Sequence, residues 1–354
     1  MAQPLSRVLR RWFAWFMVAV LVSSLVTWFF LRDTLPAVIR IGTAVEGGLY
    51  FEEGERVAEA LRERTNHKIQ IIPTSGSQEN CDLLRAGVID VAIVQAGADS
   101  LQDLAIVTPL HRDVVHVVVR KELLAATAGD KQITSVSDLA NNAIIIGLKG
   151  SSIQKSALDI LKHYRLADSA DLREIHFTNL LSDEEKEYDA AMVTSGVENE
   201  DIGNLLATGQ FDLLPLDAEA LVLRYRHFDY YEIPKNMWPP VPRRAIPTVT
   251  ASALVVVREE TSTELVKLLL DAIFEDSLLT HFSTMFSPQQ ARELSPARLH
   301  PVTRRYHDPF GQYGVLHTVL EALAAGKELL FALGATVYLS WDRWRQLKER
   351  ESLE

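Results

Sequence analysis

Cysteine is nearly absent: Cys81 is the single one in 354 residues, so the chain can close no disulfide on itself. Neither HExxH nor CxxC occurs, which leaves a metal site without its usual ligand spacing. Positive charge is short too. Lys and Arg number 36 against 47 Asp and Glu, a formal net charge of −11. That excludes a general nucleic-acid binder, which needs clustered cations to meet phosphates. The glycines form no dinucleotide fingerprint, because Gly47-Gly48 lacks the GxGxxG spacing and no Lys follows as a P-loop requires. No nucleophile–base–acid set stands out. The chain therefore reads as a non-enzyme without a cofactor, and Cys81, beside Asn80 in a helical pattern, reads as a small buried residue.

What is present begins with a long apolar run. Residues 1–11 carry Arg7, Arg10 and Arg11, and residues 12–31 are then uncharged and mostly apolar. At about 1.5 Å per residue this run spans about 30 Å, the thickness of a hydrocarbon core. Trp12, Trp15, Trp28 and Phe29 near its ends suit interfacial belts, and the preceding arginines predict a cytoplasmic N-terminus. A cleaved signal peptide is the rival reading; its apolar region is normally shorter, and no Ala-x-Ala follows Leu31. The anchor reading places the chain in the cytoplasmic (inner) membrane with its body in the periplasm or outside the cell.

With 47% hydrophobic and 23% charged residues, the remainder can bury one large or two medium cores. Runs at 38–43, 69–73 and 91–95 are rich in Ile and Val, and stretches of helical spacing (Val57 and Leu61; Leu83, Leu84 and Val88) separate them. Nearly all-apolar strands alternating with helices predict a parallel sheet covered on both faces. Ligands of such sheets sit beyond the carboxyl ends of the strands, where small polar residues cluster in this chain. The helix opening at 77–79 offers free N–H groups beside the hydroxyls of Thr74, Ser75 and Ser77, either an anion pocket or a simple cap. Residues 104–107 and 114–119 read as two further strands.

From about Lys121 the pattern restarts. A short helix is expected at 135–139, a strand at 143–147, a Gly/Ser turn at 149–152 and a helix to about Tyr164. Strands follow at 173–177, at 188–193 ending in Thr194-Ser195-Gly196, and at 211–215. Prolines at 234, 239, 240, 242 and 247 enforce a connector. It leads to a strand at 248–257 and helical stretches at 263–274 and 278–286. Lobe I is thus expected at 37–120 plus 245–306 and lobe II at 121–244, a clamshell with a cleft between facing strand ends.

Four segments then carry a family resemblance: GTAVEGGLY, TSGSQENCDLLRAGVIDVAIVQ, SVSDLANNAIIIGLKGSS and RLHPVTRRY. Together they resemble the TAXI group of TRAP-transporter solute receptors from about residue 38 to 306, with Val45 and Glu46 where that group is usually glycine-rich. The resemblance implies an α/β, two-lobed, type II periplasmic-binding-protein-like clamshell, flanked here by the N-terminal transmembrane helix and a C-terminal apolar helix. Position by position it implies a pocket of Thr43, Gly48, Tyr50, Thr74, Ser75, Gly76, Ser77, Gln95, Gly150, Ser151, Ser152 and Ser195. Hydroxyls and helix N–H groups suit a carboxylate, and Gln95 at a strand end can donate and accept. Tyr50 either stacks on a ligand or fills core; Glu46 either faces a ligand ammonium or is a solvated loop charge.

The expected function is capture of a small carboxylate-bearing solute, dicarboxylate or amino-acid-like, for TRAP-type membrane permease subunits. A membrane-tethered sensory or assembly module is the alternative, with an enzyme on the same scaffold behind it. The tail is read as a C-terminal helix at 315–345, either inserted in the membrane or lying at its interface.

Overall fold

This computed structural model of the chain describes residues 5–31, 35–124, 132–182, 187–274, 276–282, 284–294, 298–308 and 343. They fall in two units, Met1–His300 and Pro301–Glu354. In the second, helix Pro301–His307 is described; the expected tail helix at 315–345 lies outside the described residues apart from Arg343.

The first unit opens with helix α1 (Leu5–Leu31). Its side chains are described over 12–26 and at Trp28, and Trp12, Phe13, Trp15 and Phe16 among them are exposed. Among the described residues no helix is long and apolar enough to cross a membrane.

Ten strands form one sheet: β1 (Val38–Gly42), β2 (Lys68–Ile72), β3 (Val91–Gln95), β4 (Leu104–Arg120), β5 (Ala143–Ile145), β6 (Asp171–Arg173), β7 (Ala190–Gly196), β8 (Phe211–Leu213), β9 (Phe228–Ile233) and β10 (Ile246–Arg258). Their order is β2-β1-β3-β10-β4-β7-β5-β6, with β8 on β4 and β9 on β10. In the first half β2, β1 and β3 are parallel. In the second, β5 is parallel to β6 and β7. The halves share β4 and β10. β4 pairs with β10 over Leu104 to Val114 and with β7 over Asp113 to Val119, so one strand belongs to both. This is an α/β arrangement, as the alternation of apolar runs with helical stretches leads one to expect, but the antiparallel pairings of β4 and β10 make the sheet mixed rather than parallel.

Burial explains the composition of the shared strand. Val115, Val117 and Val119 enter one core cluster with Ile144, Ile160 and Phe228. Val114 and Val118, on the opposite pleat, enter another with Ile202, Phe211 and Ile233. A strand covered on both faces needs apolar residues at every position, hence the near-continuous valines. Under the first half, Cys81, Leu84, Ile89 and Val94 pack together; Cys81 is buried and free, and burial pushes its thiol up to about 12, the state of an inert core residue.

Helices cover the sheet: α2 (Leu49–Arg64), α3 (Ser77–Arg85), a single turn α4 (Lys121–Leu124), α5 (Ser152–His163), α6 (Glu200–Ala207), α7 (Ala218–Arg224), α8 (Thr263–Ile273), α9 (Asp276–His281) and α10 (Pro288–Glu293). Three expectations need correcting. The strands at 104–107 and 114–119 are one, β4, running through Pro109, His111, Arg112 and Asp113. Its pairing with β10 shifts register between Ser252 and Leu254, opposite this segment, and a bulge is where a strand accommodates a proline that cannot donate. The strand expected at 173–177 is instead β6, ending at Arg173, followed by a 3-10 helix over Phe177–Ser182; Ile175 and Phe177 are apolar because they pack on the core, not because they alternate in a sheet. The helical stretch expected at 278–286 ends at His281, and the chain then turns so that the Phe286 N–H donates to Leu110 O.

Candidate functional site

Four helices begin at one cleft. α2, α3, α5 and α6 each follow the carboxyl end of a strand, β1, β2, β5 and β7. Their first residues or N-caps (Gly48 and Leu49, Gly76, Ser151 and Ser152, Asn199) line a cavity of about 450 Å³. The parallel strands of each half thus deliver helix N-termini to the same opening. Ser151 caps α5 by accepting from the Gln154 N–H, and Asn199 caps α6 by accepting from the Ile202 N–H. α2 and α3 start instead at Gly48 and Gly76, with no side-chain cap bond. Their first-turn N–H groups are therefore not answered by a cap, and the dipoles of all four helices favour an anion at the cleft.

Gly76 is required where it stands. Its φ is +136°, and a Cβ there would lie 3.4 Å from the Ser151 Cα, so the loop of the second half approaches the backbone of the first directly. Two further contacts join the halves nearby. The Gln95 side-chain amide donates to Ser156 Oγ at 2.6 Å, both groups buried. Gly97, at φ +84°, lies under the His227 ring, and His227 Nε2 stands 3.4 Å from Asp159 Oδ2.

The sequence-derived residues divide into two sets. Gly48, Tyr50, Ser75 and Gly76 from the first half line the cavity, and so do Ser151, Ser152 and Ser195 from the second. Thr43, Thr74, Ser77, Gln95 and Gly150 do not. They fasten the loops instead. Thr74 Oγ1 lies 2.9 Å from both Thr43 O and Asn80 Oδ1 and accepts from the Gly76 N–H. Ser77 Oγ accepts from the Gln95 N–H, and the Gly150 N–H donates to Gln154 Oε1. Ser75 donates through both N–H and hydroxyl to Glu79, which holds that carboxyl below its ordinary range.

Sequence reading passed over the acidic members of the lining. Asp113, Glu198 and Asp201 face the cavity with His176 and His281, and among the described residues no Lys or Arg lines it. Asp113 hides in the stretch read as a break between two strands. The signal that marks it is His111-Arg112-Asp113, charges inside an otherwise apolar run. Among the described residues no group of three or more His, Cys, Asp or Glu is placed to hold a metal.

Residues 41–311 match the sequence profile of the NMT1-like family. The chain belongs to that family. The matched family is described as NMT1-like, not as the TAXI group of the sequence resemblance. Solved structures similar to this NMT1-like chain include the periplasmic aliphatic sulphonate binding protein SsuA from Escherichia coli, 17% identical, covering 77% of this chain and 79% of that one, with a TM-score of 0.44. The alkanesulfonate-binding protein SsuA from Xanthomonas axonopodis pv. citri, bound to MOPS, is 16% identical over 77% and 84%, with a TM-score of 0.42. A double-mutant VFT2 domain of BvgS from Bordetella pertussis is 16% identical over 69% and 91%, also with a TM-score of 0.42.

Proposed function

We propose that this NMT1-like chain is an extracytoplasmic solute receptor of the TAXI type. It holds a small carboxylate-bearing molecule between lobe I (37–120 plus 245–306) and lobe II (121–244) and passes it to a TRAP-type permease. The observation that carries this reading is the convergence of four helix N-termini, two of them with glycine caps, on one cavity. A carboxylate there is met by N–H groups and dipoles from both halves. Closure is favoured because the two halves share the contacts. No group in the cavity is given a chemical step.

A thermal-shift screen of the full chain in detergent against small mono- and dicarboxylates tests the proposal. A solute that binds the native state alone adds about 2.7 kcal/mol at a hundredfold excess over its Kd, so a selective rise in melting temperature is expected. A flat response across the panel contradicts it.

The anchor belongs to the same proposal. It rests on the uncharged run at 12–31 of the sequence, since among the described residues no helix is long and apolar enough to cross a membrane. Alkaline washing of membranes is expected to leave the chain in the pellet; release into the supernatant contradicts the anchor.

A further inference from the structure

Helix N-termini explain one end of a ligand and leave the floor of the cleft unexplained. Tyr50 and Glu53 lie three apart on one face of α2, and His111 and Asp113 lie two apart on one face of β4. The four meet behind the cavity wall. His111 Nε2 is 3.0 Å from Glu53 Oε1 and Nδ1 is 3.5 Å from Asp113 Oδ1. The Tyr50 hydroxyl donates to Asp113 Oδ2, and the Tyr50 and His111 rings meet edge to face with centroids 6.0 Å apart. All four residues are buried, and Glu53 Oε2 has no hydrogen-bond partner. Tyr50 and Asp113 are the members that reach the cavity.

The charges do not balance. Two carboxylates face one imidazole, so even with His111 protonated the set carries an excess negative charge in a buried place, which is unfavourable unless something answers it. Among the described residues that line the cavity there is no Lys or Arg. Arg112, between His111 and Asp113, lies on the other side of β4 over the Phe286 ring. Across the cavity, the second half presents Glu198, Asp201 and His176, and the segment at α9 presents His281. The charge is then met in one of two ways: by a proton on the set, or by a positive group entering the cavity and reaching Asp113.

We propose that these two alternate: Asp113, steadied by Tyr50, is a subsite for the ammonium group of a zwitterionic solute, and its occupation releases the proton that the Glu53–His111–Asp113 set holds when the cleft is empty. The inference rests on the solute-receptor reading and adds a substrate class to it, a molecule with a carboxylate for the helix N-termini and an ammonium for the floor. Protonation of the set agrees with its surroundings. Burial lowers the affinity of His111 for a proton, but Glu53 and Asp113 together outweigh it and raise the imidazole to about 9; burial pushes the Asp113 carboxyl above its ordinary range. Because the cation competes with the proton, solute affinity rises with pH as that carboxyl gives its proton up.

Calorimetric titration of the full chain in detergent tests this with matched pairs: alanine against propionate, aspartate against succinate, glutamate against glutarate. In at least one pair the amino member is expected to bind about tenfold or more tightly than its partner. For that member, affinity is expected to rise from mildly acid to mildly alkaline pH, and the heat to depend on the ionisation enthalpy of the buffer, the mark of a released proton. Asp113→Asn is expected to abolish the preference and the buffer dependence together while carboxylate binding survives. Tyr50→Phe, which keeps the ring, is expected to weaken both if the asparagine variant does not fold. If des-amino members bind as well as amino members, the subsite is overturned and the receptor stands. If the heat is independent of buffer, the proton exchange is overturned. If no member of any pair binds, the subsite and the receptor reading both fall.

Discussion

Single buried side chains set how this protein answers to acid. His116 lies one pleat away from the cleft network on β4, buried, with its ring 5.8 Å from that of Trp238. Burial lowers it from 6.5 to about 4, so the folded chain keeps it neutral where the unfolded chain protonates it. Between those two values the unfolded state binds more protons, and stability falls as pH falls. The difference is on the order of 3 kcal/mol across the window. Replacing His116 with leucine is expected to flatten the dependence of melting temperature on pH in that interval; an unchanged slope would mean another group carries it. His111 and His116, five positions apart on an extended strand, fall on opposite faces, and spacing alone makes that legible. The opposite directions in which their surroundings push them were not. Burial lowers both, but Glu53 and Asp113 together raise His111, and Glu53 comes from a helix more than fifty residues earlier, a partnership that no local pattern announces.

Elements were legible where one physical signal ruled. β1 and β3 are buried apolar runs, α5 and α8 show apolar residues at helical spacing behind Ser caps, and all four emerged near their expected bounds. β4 was split because its middle trades apolar residues for Pro109, His111, Arg112 and Asp113, which break the pattern that signals a strand. The ends of β2 and β3 teach the complementary lesson. Thr74, Ser77 and Gln95 have the right chemistry for a ligand, yet their hydrogen bonds go to the loops and to α5. A hydroxyl near a strand end reads the same in sequence whether it meets a solute or a neighbouring N–H. Ser156→Ala would leave the Gln95 amide buried without its acceptor, a loss of about 1–3 kcal/mol. Chemical denaturation is expected to show it; a change within about 0.5 kcal/mol, typical of surface substitutions, would mean that the Gln95–Ser156 bond does not fasten the halves.

At the scale of the whole molecule, two α/β halves share two long strands, and the carboxyl ends of their parallel strands face one cavity. The repetition of strand, small-residue turn and helix made this arrangement readable. Asp113 comes from the middle of a long strand that fits no repeat, which is why the sequence suggested a site for a carboxylate and missed the floor beneath it. In the function proposed above, solute lies where Gly76 of the first half meets Ser151 and Ser152 of the second. Ser152 is half-buried at the first position of α5 and lines the cavity, so Ser152→Phe fills the cleft without touching either core. The most direct measurement is the solute-induced thermal shift of this variant beside the unaltered chain. The expected result is an unchanged melting temperature without solute and no shift with it; a full shift in the folded variant would place the solute elsewhere and contradict the account.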